Sequence, residues 1–287
     1  MGTLTVLWNN GADNANVTAG AWSAALPLTN LLAPNLTKVA RTTDAQLAST
    51  QFKVEMADSI QIKAIVVGPT NLTTNYKYRI SWYSDELFTS LVDTTGWINP
   101  FGETLTDPFD IPWEASYFWD GVAPFDDKDR GIWLIHVFSS PIVTLYIKVE
   151  MDDQLNPDGY IQAGRLFIGS YWAPSLNYTP DNNGLSFRNA NIESSTLRGG
   201  KYYWRRINPR SWSCRFSMLP DLEAYTSAYN LIQQAGYDKE VFIIPDPEDS
   251  TNMQRRAFLA TITQADPISQ ALVSRASFGF TVEEIVQ

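Results

Sequence analysis

The chain has one cysteine, one histidine and few charges, with only 18% of its 287 residues Asp, Glu, Lys or Arg. A lone cysteine, Cys214, excludes an internal disulfide framework and a multi-cysteine metal centre. With His136 the one imidazole, a zinc site built from the usual nitrogen and sulfur ligands is excluded too. A Ser-His-Asp triad would have to use His136, which sits inside the strand-like run Trp133 to Phe138. No Gly-x-Ser-x-Gly elbow accompanies it. His136 therefore reads as a strand histidine hydrogen-bonded at a core edge, and Cys214, on an alternating run, as a buried structural thiol. No 18-residue apolar stretch occurs, so no membrane-spanning helix is expected. Met1 to Trp8 lacks a basic segment and a long apolar core, and reads as a strand rather than a signal peptide. No repeat of fixed period emerges. The sequons at Asn16, Asn35, Asn71 and Asn177 read as loop residues rather than glycosylation sites.

Aromatic residues are plentiful: ten Trp, 13 Tyr and 14 Phe. They suit large cores and also subunit interfaces, where Trp, Tyr and Arg concentrate binding energy. The length gives room for two domains, each with its own core. A net charge of −10 argues against general binding to nucleic acid or anionic membrane. That charge is unevenly placed. Up to Ala163 the sequence has nine basic and 19 acidic residues, and from Gly164 onward it has 12 of each. The run Gly164 to Gly169 thus marks a boundary, with alternating strands before it and strands interrupted by one strong helix after it.

Period-two alternation predicts strands at Leu4 to Trp8, Phe52 to Met56, Ile60 to Val67, Tyr76 to Tyr83 and Tyr160 to Ile168. Gly131 to Phe138 and Ile142 to Met151 read as a strand pair joined at Ser139-Ser140-Pro141. From Asp85 to Arg130 the pattern breaks down into a long Pro- and Trp-rich insert, of a length usually functional or docked on a partner. Roughly eight short strands without a helix predict a jelly-roll β-sandwich over residues 1–169. Residues 170–287 read as a second β module. In it Lys201 to Arg206 and Ser211 to Met218 form a hairpin turning at Asn208-Pro209. A helix at about 220–235 starts at Pro220, presents Leu222, Tyr225, Tyr229 and Ile232 on one face, and stops at Gly236. The fold class is mainly β.

Chemistry is sparse. Asp126, Asp127 and Asp129 cluster in one loop and Asp152, Asp153 and Asp158 in another, but neither run matches a calcium loop, so they read as solvated turn acids. No metal, cofactor or catalytic residue is assigned. The aromatic run Trp113 to Trp119 suits either stacking on sugar rings or burial against a neighbouring subunit, and burial is preferred. Arg205 and Arg206, interleaved with Tyr203 and Trp204, superficially resemble a nucleic-acid patch, but alternation divides them between two faces. The residues assigned to an interface are Trp113, Phe118, Trp119, Tyr203, Trp204, Arg205 and Arg206.

Trp22 to Leu32, Val39 to Thr43, Ala48 to Phe52 and Ile60 to Gly68 together resemble the opening of a discoidin-like module found in structural proteins of tailed bacteriophages. Gly164 to Gly169, Trp172-Ala173-Pro174 and Phe242 to Pro247 are similar to the second half of the same proteins. The resemblance implies a discoidin-like sandwich and a non-enzymatic virion protein of the tail tip or baseplate, made in the bacterial cytoplasm. It would form a ring with copies of itself and grip the tail tube, hub or fibre proteins. The alternatives are a carbohydrate-binding accessory tail protein recognising host surface glycans, a head-decoration or connector protein, and, less favoured, a tail-associated glycan hydrolase. Nucleic acid and membrane insertion are not expected.

Overall fold

The computed structural model describes residues 2–101, 113–114, 130–180, 183–196 and 199–286. The chain forms two compact units. The first comprises Asn10–Tyr171 and Pro247–Gln254, and the second comprises Met1–Asn9, Trp172–Asp246 and Arg255–Gln287.

The chain enters through β1 (Thr5–Asn10) and then builds the first unit from β2 (Asn16–Thr18), β3 (Ala40–Arg41), β4 (Gln51–Glu55), β5 (Gln61–Thr70), β6 (Lys77–Tyr83), β7 (Leu91–Thr94), β8 (Ile132–Val143), β9 (Tyr146–Asp152) and β10 (Gln162–Phe167). β11 (Gly169–Trp172) leads out of it. Two antiparallel sheets result, in the orders β2-β4-β9-β6-β7 and β3-β10-β5-β8. Alternation on β4 turns Phe52 and Val54 inward, and β9 does the same with Ile147, Val149 and Met151. These side chains share one core with Ile65 and Val67 of β5, Leu134 of β8 and Leu166 of β10, so the unit is a sandwich. Full burial of each such side chain contributes about 1.5–3 kcal/mol.

The boundary run Gly164 to Gly169 falls on β10 and the start of β11. Arg165 is wholly buried there, paired at 2.6 Å with Asp13 and donating to the Leu32 carbonyl. Those contacts tie β10 to two loops of the same unit. Gly164 lies where the chain passes closest to Pro69, since an added Cβ would stand 3.0 Å from its ring.

The strand pair expected at Ser139-Ser140-Pro141 is not formed. β8 continues through that site to Val143 and pairs with β5, whereas β9 pairs with β4 and β6 in the opposite sheet. Among the described residues β8 ends its sheet, and Pro141 falls in the register shift between Val137 and Ile142, where a residue lacking an N–H costs no ladder bond. Within the insert, where no strand is expected, Leu91–Thr94 pairs with β6 as a second edge. Its four residues are all exposed, so no buried side alternates with a solvent side to announce it.

The second unit contains β12 (Gly184–Phe187), β13 (Ile192–Ser195), β14 (Lys201–Trp204), β15 (Arg210–Pro220), β16 (Glu240–Ile244), β17 (Phe258–Ala265), β18 (Ser269–Leu272) and β19 (Arg275–Glu284). Its main sheet runs β1-β16-β17-β19-β15-β12, with β18 on β19. The first nine residues, placed by sequence with the first module, belong here. Thr5, Val6 and Leu7 pair with Ile244, Ile243 and Phe242, and Leu4, Val6 and Trp8 enter this core. Asn177 works like a peptide group beside them, accepting from Leu4 N at 3.3 Å and donating to the Gly2 carbonyl at 3.0 Å.

The hairpin expected between 201–206 and 211–218 is replaced by two separate pairings. β14 pairs with β13, and β15 pairs with β12 and β19. The mainly β class, a sandwich followed by a β module with one helix, is the class observed.

That helix forms as α1 (Asp221–Glu223), a π turn (Ala224–Ala228) and α2 (Tyr229–Ala235). Gly236 ends it with a φ of 58°. The buried face is not the expected one. Ala224, Ala228, Leu231 and Ala235 face the core, while Leu222, Tyr225 and Tyr229 are exposed. Small residues let the helix approach a sheet already filled by Trp212, Phe216, Phe278 and Phe280, and a larger face would not fit. Ala228→Leu is accordingly expected to destabilise by about 1–3 kcal/mol through overpacking. Tyr225→Ser is expected to stay within about 0.5 kcal/mol. Urea denaturation of both variants checks the assignment.

Candidate functional site

A cavity of about 200 Å³ opens in the sandwich unit between β6, β8, the Ile98–Phe101 segment and Pro247–Gln254. β6 supplies Tyr78 and β8 supplies His136, whose Nδ1 lies 3.1 Å from the Tyr78 hydroxyl. The two rings meet edge to face at 5.8 Å, and Phe138 packs against the imidazole at 4.5 Å. Phe101 stands edge-on to Tyr76, which stacks on Tyr78. Gln254 helps to fix the Pro247–Gln254 wall. The Gln254 amide accepts from Trp133 N at 2.9 Å and donates to the Trp133 carbonyl at 2.5 Å, as a strand neighbour would.

Every described lining residue is formally neutral. Burial lowers the His136 pKa from 6.5 to about 4. Burial also pushes the Tyr78 phenol well above its ordinary value. Whichever ring nitrogen carries the proton, the pair stays uncharged near neutrality.

Because the folded pKa of His136 is depressed, the unfolded chain binds the proton more readily between pH 6.5 and 4. Its contribution is complete above about pH 6.5 and is lost as pH falls toward 4, by about 2–3 kcal/mol. His136→Gln is expected to flatten that part of the stability–pH curve. An unchanged slope between wild type and variant would refute the assignment.

The residues assigned from sequence are brought together only in part. Tyr203, Trp204, Arg205 and Arg206 lie on and just after β14, all exposed. Trp113 is 72% exposed, while Phe118 and Trp119 lie outside the described residues, as do Asp126, Asp127 and Asp129. In the other acidic loop Asp153 is buried and accepts from Thr73 N and Oγ1, each at 2.8 Å, and from Asn156 at 2.9 Å. Asp158 accepts from Asn71 at 2.8 Å. These carboxylates latch loops, and among the described residues no group of three His, Cys, Asp or Glu side chains is arranged to hold a metal. Cys214 is buried and its thiol is pushed up by burial, as a structural role requires.

The cleft itself has no signature in the sequence. His136 is read from sequence only as a core-edge residue, and Tyr78, Phe101 and Met253 are joined by no spacing rule. Their approach depends on a segment some 120 positions downstream of β8, fixed through Gln254.

No protein-family model matches the chain, and no curated protein matches it. Solved structures do show similarity. The family 32 carbohydrate-binding module from C. perfringens NanJ, in complex with galactose, is 14% identical, with 59% of this chain and 99% of that one covered and a TM-score of 0.36. A family 32 module from a family 31 glycoside hydrolase of Clostridium perfringens is 11% identical over 57% and 99% of the two chains, with a TM-score of 0.37. The family 32 module of AlyQ, in complex with 4,5-unsaturated mannuronic acid, is 14% identical over 56% and 96%, with a TM-score of 0.33. Likeness at this level carries no functional argument, and the cleft must speak for itself.

Proposed function

We propose that the protein is a non-catalytic recognition protein whose sandwich unit binds a neutral carbohydrate in the Tyr78–His136 cleft. The observation that carries this reading is the chemistry of the lining. Aromatic and aliphatic walls meet a phenol, an imidazole, the Ser250 hydroxyl and an amide, with no formal charge, in a chain of net charge −10. A sugar ring has an apolar face for such walls and hydroxyls for such neutral partners. An anionic ligand would gain nothing from the lining and would be repelled by the chain as a whole. The described lining contains no carboxylate pair of the kind that glycoside hydrolysis uses, which supports binding over turnover.

The setting we propose is the tail tip or baseplate of a tailed-phage virion, with the tube, hub or fibre proteins as neighbours. The sequence resemblance alone supports that setting. Immunogold labelling of purified particles tests it, and label on the head shell would overturn it.

The cleft is tested by saturation-transfer NMR with neutral hexoses and N-acetylhexosamines, followed by a glycan array. Binding is expected, with about tenfold loss in both His136→Ala and Phe101→Ala. Trp113→Ala tests the insert separately. Binding absent in the wild type, or unchanged in both cleft variants, would overturn the reading.

A further inference from the structure

We infer that the protein self-associates by docking the β13–β14 arm of one copy on the β7 edge of another. The inference does not depend on the carbohydrate reading, since neither surface lines the cleft.

The arm is unusual in its exposure. Among the described residues β13 and β14 pair only with each other, and all eight of their residues are exposed. Trp204 is 71% exposed and Tyr202 62%, with Tyr203 and Ile192 beside them. An isolated two-stranded ribbon is marginal in water, and aromatics concentrated on one are the usual anchors of a protein interface. The arm is also basic. From Arg188 to Arg206 the sequence has five Lys or Arg and one acid, Glu193, which pairs with Lys201.

The β7 edge has the opposite character. β7 ends the five-stranded sheet, and its outer side pairs with nothing among the described residues. Leu87, Leu91 and Val92 are exposed around it, at 77% for Leu87. Glu86 and Asp93 flank them, both exposed. Asp85 adds a third described acid there, and no Lys or Arg occurs in the sequence between Arg79 and Lys128. Of the usual edge protections β7 has shortness, the charge of Asp93 and an irregular register with β6, but neither lysine nor proline.

A basic aromatic ribbon and an acidic apolar strand edge are complementary in charge, in hydrophobicity and in hydrogen-bonding form. Both are present on every copy, so a second copy always brings the counterpart. Reciprocal docking closes a dimer, whereas head-to-tail docking gives a ring where the rotation closes and an open filament where it does not.

Sedimentation velocity of the full chain over a concentration series provides the test. Association is expected in low salt and is weakened at about 0.5 M salt. Arg205→Glu with Arg206→Glu is expected to weaken it about tenfold or more, and Glu86→Lys with Asp93→Lys to do the same. An equimolar mixture of the two charge-reversed proteins should associate again. Circular dichroism checks that each variant is folded, and Arg205→Gln with Arg206→Gln replaces the reversal if it is not. A wild type that is monomeric at every concentration, or folded variants that fail to restore association when mixed, would overturn the inference.

Discussion

Glu284→Ala is expected to lower folding stability by about 3–5 kcal/mol, the range for breaking a buried ion pair from one side. Glu284, near the end of β19, pairs at 2.5 Å with Arg210 at the start of β15, with side-chain exposures of only 5% and 3%. Its second oxygen accepts from Arg210 N at 2.8 Å. The guanidinium lies over Phe258 at 4.7 Å and donates to the Arg255 carbonyl at 2.9 Å. Removing the carboxylate would therefore leave a cation in a site closed by protein on its other sides. Replacing both partners, as Arg210→Met with Glu284→Leu, is expected to recover most of the loss, because neither charge then remains to be desolvated. Urea denaturation of the single and double variants measures both. A loss below about 1 kcal/mol in the single variant would mean that water reaches the pair.

Phe216→Ala is expected to cost about 3–5 kcal/mol, from lost burial and from the cavity left behind. Its ring packs against Trp172 at 5.2 Å and Phe280 at 6.5 Å, and Phe280 in turn meets Phe278 at 5.8 Å. Trp204→Ala removes a larger side chain and is expected to change monomer stability by no more than about 0.5 kcal/mol. The two results together would separate the aromatics that hold the second unit from those it offers to others. A loss above about 2 kcal/mol for Trp204→Ala would show that the arm packs within its own chain.

Where local pattern matched local environment, the fold was legible in the sequence. β4 and β6 alternate because one side of each is buried and the other solvated, and Cys214 lies on a strand whose alternation is equally plain. Three features were not legible, each for a physical reason. β8 and β9 are consecutive but lie in opposite sheets, and nothing in a run of apolar residues says which partner each will take. The helix carries two candidate faces, and hydrophobicity favours the one with Leu222, Tyr225 and Tyr229. Steric fit to a sheet crowded with large rings selects the alanines instead. The cleft was the least legible, because Tyr78, Phe101, His136 and Met253 meet only through tertiary packing. For the arm, alternation predicts that 201–206 pairs with 211–218, whereas β14 pairs with β13.

The pairing of β1 with β16 has a consequence for biosynthesis. Gly2 N donates to Asp246, 244 positions away, and β1 must wait for β16 to be translated. Until then Leu4, Val6 and Trp8 are sticky apolar surface on a growing chain, while the sandwich strands can already find one another. At about 5–20 residues per second, that wait is on the order of ten seconds or more. Cutting the chain at residue 169 would strand β1 on the wrong fragment, leaving β16 without its partner strand. The order in which the ribosome delivers the strands thus differs from the order in which the second unit can assemble.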